Sequence, residues 1–168
     1  MAARDVRKNF NLFVDGTSYA GQVDEVNPPK LTLKTEEFRA GGMNLPIKLN
    51  MGQEAMDADF SMIAFDRKIL ALYGVAEGQF VQFTLRENLE SYDGTTTPVV
   101  HSMRGKITEF DQGSVKAGDK PSLKIGLNLN YYKLQHGDVV VQEIDAVNMI
   151  HIVNGVDMMA TQRANLGM

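Results

Sequence analysis

The segment Ser122-Leu-Lys-Ile-Gly-Leu-Asn-Leu-Asn-Tyr-Tyr132 decides the fold. Leu123, Ile125, Leu127, Leu129 and Tyr131 alternate with Ser122, Lys124, Gly126, Asn128, Asn130 and Tyr132, the period of two expected of a strand with one buried and one wet face. At about 3.3 Å per residue this strand reaches roughly 36 Å, well beyond a usual strand of five or six residues. Burying several such side chains at roughly 1.5 to 3 kcal/mol each outweighs any local preference, so the leucine face is assigned to the core. Lys124, Asn128 and Asn130 then point away from it. Asparagine is a poor strand former, and two of them on one face call for a reason other than propensity.

The same period recurs on both sides. Val81, Phe83 and Leu85 alternate with polar residues, as do Val99 to Glu109, and Tyr92-Asp93-Gly94 between them predicts a long hairpin. Phe10, Leu12 and Val14 run into Asp15-Gly16, a second hairpin cue, followed by Tyr19 to Val26. Pro28-Pro29 then breaks the chain before Leu31, Leu33 and Phe38. Val139 to Ile144 and Val147 to Val153 are β-branched runs separated by Asp145-Ala146. One short helix is predicted from Arg67 to Tyr73, capped by Asp66 and ended by Gly74, while Asp157 to Asn165 reads equally as a helical turn or a loose tail. Ala40 to Glu54, with Gly41-Gly42, and Asp111 to Pro121 read as long loops. The expected fold is mainly β: two packed antiparallel sheets, as a barrel or sandwich, with long hairpins and one flanking helix. The 168 residues form one domain (1–168), with a loop arm at 40–54 and a C-terminal tail at 157–168.

Composition narrows the function. Hydrophobic residues make up 43% and charged residues 23%, the balance of a chain that folds around a core. A net charge of −4 supplies no basic field for nucleic acid or anionic lipid, so neither is an expected partner. With no cysteine, thiolate metal sites, disulfides and cysteine nucleophiles cannot be built. No apolar run approaches the roughly 20 residues of a membrane span, and no apolar segment follows the charged start Arg4, Asp5, Arg7 and Lys8, so synthesis and retention in the cytoplasm are expected.

Chemistry-bearing constellations are few. His101, His136 and His151 lie in separate segments, and the better reading for each is a satisfied surface or core histidine. Asp57-Ala58-Asp59 sets two carboxylates about 7 Å apart on one strand face, which could hold a cation or do acid–base work, but with no third ligand nearby a solvated face is the better reading. None of the 15 glycines belongs to a phosphate loop or nucleophile elbow. No catalytic residue, cofactor or metal is predicted. Four of the ten methionines, Met43, Met51, Met56 and Met62, lie in or beside the 40–54 segment. Methionine adapts to irregular apolar surfaces, so Gly41, Gly42, Met43, Met51 and Met56 are candidates for contact with a neighbouring subunit, against packing on their own core.

Three stretches carry a family resemblance: NPPKLTLKTEEFRAGGMN (Asn27 to Asn44), MRGKITEFDQGSVKAGDK (Met103 to Lys120) and VQEIDAVNMIHIVNGVDMMATQRANLGM (Val141 to Met168). In order and spacing the chain resembles the major tail tube proteins of contractile-tailed phages, and among them the tube subunits of R-type pyocins. The resemblance implies six-membered rings stacked into a hollow tube, driven through a bacterial envelope when a surrounding sheath contracts. It also implies a sheath protein outside, a tape-measure protein inside during assembly, baseplate and terminator proteins at the ends, and a place in a released tail or pyocin particle. Lys124, Asn128 and Asn130 would then face the lumen. Long strands with open edges are hazards in a monomer, and pairing edges with neighbours removes them. Three other readings stand beside this one: a type VI secretion tube protein, a monomeric β-barrel holding a small apolar ligand, and a metal-dependent enzyme built on Asp57 and Asp59.

Overall fold

The computed structural model describes residues 3–168, and strands dominate it. In chain order the elements are β1 (Val6–Val14), β2 (Thr17–Ser18), β3 (Val23–Asn27), β4 (Leu33–Phe38), β5 (Ile47–Gln53) and β6 (Met56–Met62), then α1 (Arg67–Leu70). After it come β7 (Val81–Glu90), β8 (Thr96–Asp111), β9 (Leu123–His136), β10 (Val139–Asp145), β11 (Ile150–Val153), β12 (Val156–Asp157) and α2 (Ala160–Leu166).

The mainly β architecture with two antiparallel sheets is as expected. The larger has ten strands in the order β12-β11-β10-β9-β8-β7-β1-β2, with β6 also on β9 and β3 on β6; the smaller is the β4-β5 pair alone. β9 is the branch point: its first half pairs with β6 and its second half with β10, while β8 runs along its other side. The large sheet curls until its wings meet, bringing Phe60 of β6 within 6.0 Å of Phe83 of β7 although two strands separate them in the sheet. Leu12, Val14, Met62, Val81, Leu85, Met103, Leu123, Ile125, Leu127 and Leu129 fill the space between the wings. Each comes from the inward face of an alternating strand, so the period of two read from the sequence is the period of the core.

The turns obey their residues. Val14 pairs with Thr17 across Asp15-Gly16, both with positive φ (46° and 77°), the two-residue geometry that matches strand twist. Glu90 pairs with Thr96 across the turn holding Asp93 and Gly94. Asp66 caps α1, its Oδ1 accepting from the Lys68 N–H at 2.6 Å and the Ile69 N–H at 3.4 Å. α1 is shorter than the predicted Arg67 to Tyr73, because Tyr73 leaves the helix to bridge Ile107.

Three features differ from the expectation. The first is a bulge in the decisive strand: Arg104 pairs with Tyr131 but Gly105 with Leu129, so Asn130 is an extra residue. Beyond it the alternation inverts, Tyr132 entering the core and Tyr131 leaving it. Gly105 makes this possible, because a Cβ there would fall 2.1 Å from the Asn128 carbonyl oxygen. The second is the 40–54 segment, whose latter half is strand β5 paired to β4, so the arm is a hairpin with its tip between Phe38 and Ile47. The third is the C-terminal stretch, where α2 forms a second short helix tied down by Arg163, which pairs with Asp157 and donates to the Met149 carbonyl at 2.9 Å.

Candidate functional site

Two surfaces gather the residues singled out from the sequence: the outward face of β3, β6, β9 and the end of β8, and the hairpin arm. On the first, register aligns Asp57 with Asn128, Asp59 with Gly126, and Ser61 with Lys124. On the far side of β9, Glu109 meets Gly126 and Asp111 meets Lys124. Lys124 and Asn128 therefore share one exposed face, as predicted, and Asn130, displaced by the bulge, turns toward a cleft at the base of the arm. The face is more acidic than two asparagines suggested, since Glu25, Asp57, Asp59, Glu109 and Asp111 lie on it with Lys124 and with Lys106, which stands opposite Asn128 and pairs with Glu77.

The asparagines have defined partners. Asn128 donates from Nδ2 to Asp57 Oδ1 at 2.8 Å, and Asn27 donates to Asp59 Oδ1 at 2.8 Å and to Glu25 Oε1 at 3.1 Å. Each carboxylate of the Asp57-Ala58-Asp59 pair is thus engaged by an amide donor, on an outward face opposite the buried Ala58 and Phe60. Among the described residues no group of three or more His, Cys, Asp or Glu side chains is placed to hold a metal ion.

The arm carries Gly41, Gly42 and Met43 at its tip and Met51 on β5. Gly42 has φ +86°, and Met43 closes the turn by accepting from Arg39 Nε at 3.2 Å through its carbonyl. Met51 is 53% exposed, beside Phe38, Ile47 and Leu49. Met56 does not belong with them: it is 3% exposed in β6, on the inward face with Ala58, Phe60 and Met62, because the arm ends at Gln53 and the core alternation has begun.

Sequence reasoning missed a buried polar cluster on the inward face, spanning the adjacent strands β1, β7, β8 and β9. Glu87 is 6% exposed and His101 7%; Glu87 accepts from Arg7 Nε at 2.7 Å, and its other oxygen lies 3.4 Å from His101 Nε2. With Nε2 donating to Glu87, His101 Nδ1 is left to accept from the Tyr132 hydroxyl at 2.9 Å. Burial alone would raise the Glu87 carboxyl, but the hydrogen bonds from His101 and Arg7 outweigh it and hold the group below its ordinary value near 4.5. Burial, with the Glu87 charge nearby, pushes Tyr132 up to about 12. A polar residue at the inward parity of β7 was the available signal, since Val81, Phe83, Leu85 and Glu87 share one face. His101 is thus a satisfied core histidine; His136 is exposed and His151 half-buried, on separate strands.

A second missed device shapes the β10–β11 turn. Asp145 accepts from the Val147 and Asn148 N–H groups at 3.1 Å and from Asn148 Nδ2 at 2.7 Å. Burial raises its carboxyl, and these bonds together with Arg104 pull it back below its ordinary range. The turn forms one wall of the arm-base cleft, whose volume is about 510 Å³ and which is lined on its other sides by the foot of the arm, Asn128 to Asn130 and Met159.

Comparison with known proteins agrees with these surfaces being structural. A family model described as phage tail tube protein FII matches residues 5–167. The chain is 35% identical over 165 residues to the tail tube protein of Escherichia phage P2, covering 96% of each. It is 34% identical over 154 residues to the major tail tube protein of Serratia phage KSP20, covering 87% of this chain and 85% of that one. Among solved structures, a chain of the PVC extracellular contractile injection system, determined as a sheath–tube complex in the extended state, shares the fold. It superposes with a TM-score of 0.59 at 16% identity, covering 76% of this chain and 88% of its own.

Proposed function

Because the chain belongs to the phage tail tube protein FII family and is a structural tube subunit, we propose that its copies close into six-membered rings that stack as a hollow tube. The observation that carries this reading is the arm. Among the described residues it is a two-stranded sheet that pairs with no strand of the large sheet, and an isolated hairpin is only marginally stable in water. A neighbouring subunit supplies the missing support. Gly41, Gly42, Met43 and Met51 make that contact, with Leu49 and Ile47 beside them, and Met56 is left to the core.

Lys124 and Asn128, with Asn27, Asp57, Asp59, Glu109 and Asp111, form the lumen wall, and Asn130 lies at its margin. Carboxylates already bonded to asparagines make a hydrated acidic surface. A passing polyanion is repelled over roughly a Debye length, about 10 Å at 0.1 M salt, and does not stick. The same wall suits a tube that conducts DNA and one that admits only ions. Outside the tube lies a contractile sheath, inside it a tape-measure protein during assembly, and at its ends baseplate and terminator proteins. The related PVC chain was determined in a sheath–tube complex, which supports the sheath as a partner. The subunit performs no catalytic step; Arg7, Glu87, His101 and Tyr132 tie together the adjacent strands β1, β7, β8 and β9. It is made in the bacterial cytoplasm and leaves as part of a tail particle that sheath contraction drives through a target envelope.

The chain has no cysteine, which makes the lumen test direct. In an Asn128→Cys variant, a small thiol reagent should label free subunit and assembled tube alike, and a reagent wider than the lumen only the free subunit. Equal bulky labelling of intact, sheath-free tubes would put Asn128 outside. The arm test uses the adjacency of Leu33 and Gln53: replacing residues 34–52 by a short Gly-Ser turn should leave a folded domain that forms no tubes, and normal polymerisation would refute the arm contact.

A further inference from the structure

The arm has two unlike faces. Its register pairs Phe38 with Ile47, Glu36 with Leu49, Glu37 with Lys48, and Thr35 with Asn50. Strand alternation therefore puts Phe38, Ile47, Leu49 and Met51 on one side, with Glu36 the one charged residue among them, and Thr35, Glu37, Lys48 and Asn50 on the other. All four apolar residues are between 43% and 53% exposed. Asn50 and Gly52, of the polar side, line the cleft at the foot of the arm, so the apolar side faces away from its own cleft.

That cleft is itself apolar and incomplete. Leu129, Ile144, Met149, Ile150 and Met159 wall it. Asn130, which also lines it, has a buried side-chain Oδ1 without a hydrogen-bond partner. Among the described residues β4 and β5 pair only with each other, so both outer edges of the arm carry free backbone N–H groups. Hollow and arm are complementary in apolar surface, the free edges mark the arm as an element without its partner, and the two lie at different places on one chain.

We propose that the apolar side of the arm of one copy seats in the arm-base cleft of the next. The proposal rests on the tube reading and deepens it by naming the receiving surface. A contact between two different patches of identical chains is heterologous: each copy offers an arm forward and a cleft behind, so the contact propagates and does not stop at a pair. The six residues of β4 span about 20 Å, so the arm extends well beyond its own foot.

Cross-linking tests the register. A Leu49→Cys chain and a Met159→Cys chain, distinguishable by mass, are mixed at assembling concentration and oxidised. A disulfide needs Cα atoms within about 7 Å, so it reports seating and not mere proximity. Mixed-mass disulfide dimers should exceed, by tenfold or more, those from Lys48→Cys, on the polar side, mixed with Met159→Cys. Equal yields from the two mixtures, in samples where micrographs show tubes, overturn the docking and leave the tube reading standing. A Leu49–Met159 bond within one chain of the double variant also overturns it, since the arm would then fold onto its own cleft. Failure of the unmodified chain to form rings or tubes removes the premise and the proposal with it. An Ile47→Glu variant gives a second readout: with an unchanged circular dichroism spectrum it should not assemble, and normal assembly contradicts the seating.

Discussion

Replacing Gly105 by alanine tests how β8 and β9 pass each other at the bulge. The added Cβ would stand 2.1 Å from the Asn128 carbonyl oxygen, 2.8 Å from Leu129 Cα and 2.9 Å from the Asn128 carbonyl carbon, where real Cβ contacts stay beyond 3.0 Å. Every obstacle is backbone, so no side-chain rotation relieves the clash and the strands must part by about 1 Å. Overpacking of this kind costs about 1 to 3 kcal/mol. Two ladder hydrogen bonds lost at the opening add about 0.5 to 1.5 kcal/mol each. A total of about 2 to 6 kcal/mol is a large fraction of a domain's stability, and in a chain of this size it lowers the melting temperature by about 4 to 24 °C. Urea unfolding of dilute subunit followed by circular dichroism should give a lower midpoint with unchanged slope. Gly41→Ala is the control, since a Cβ there meets nothing within 4 Å and its φ is ordinary. A Gly105→Ala midpoint indistinguishable from that of Gly41→Ala would refute the reasoning.

Asp66→Ala should cost about 1 kcal/mol through loss of the α1 cap, and a variant as stable as the parent in thermal melts would show that the cap contributes nothing. The Glu87 carboxyl is held below its ordinary value near 4.5. Its contribution is therefore fully present above that pH and is lost as pH falls through it toward the lowered folded value. Glu87→Gln should be less stable than the parent at pH 7, with the gap narrowing below pH 4.5; parallel stability–pH curves down to pH 3 would contradict the assignment.

Much of the fold was legible because it rests on local rules. The leucine alternation of β9, the Asp15-Gly16 and Asp93-Gly94 turns and the Asp66 cap are each decided by a few adjacent residues, and each stands where the residues put it. What escaped depended on residues distant in sequence. The bulge at Asn130 is enforced by Gly105 on another strand, so nothing within Ser122 to Tyr132 announces that Tyr131 and Tyr132 exchange faces. β5 did carry the period of two in Ile47, Leu49 and Met51, but Gly41-Gly42 and the lack of a turn pair drew attention to a loop. Met56 looked like part of a methionine-rich arm because sequence proximity hides the boundary at Gln53. For the lumen-facing candidates, Lys124 and Asn128 were legible from one strand, whereas the acidic character of their face comes from β3, β6 and β8 and required the register.

Electron microscopy of the purified chain at rising concentration tests the central claim most directly. The account predicts six-fold rings that stack into hollow tubes, with the arm-deleted chain remaining dispersed under the same conditions. A chain that stays a compact monomer at every concentration, by micrograph and by light scattering, would contradict it.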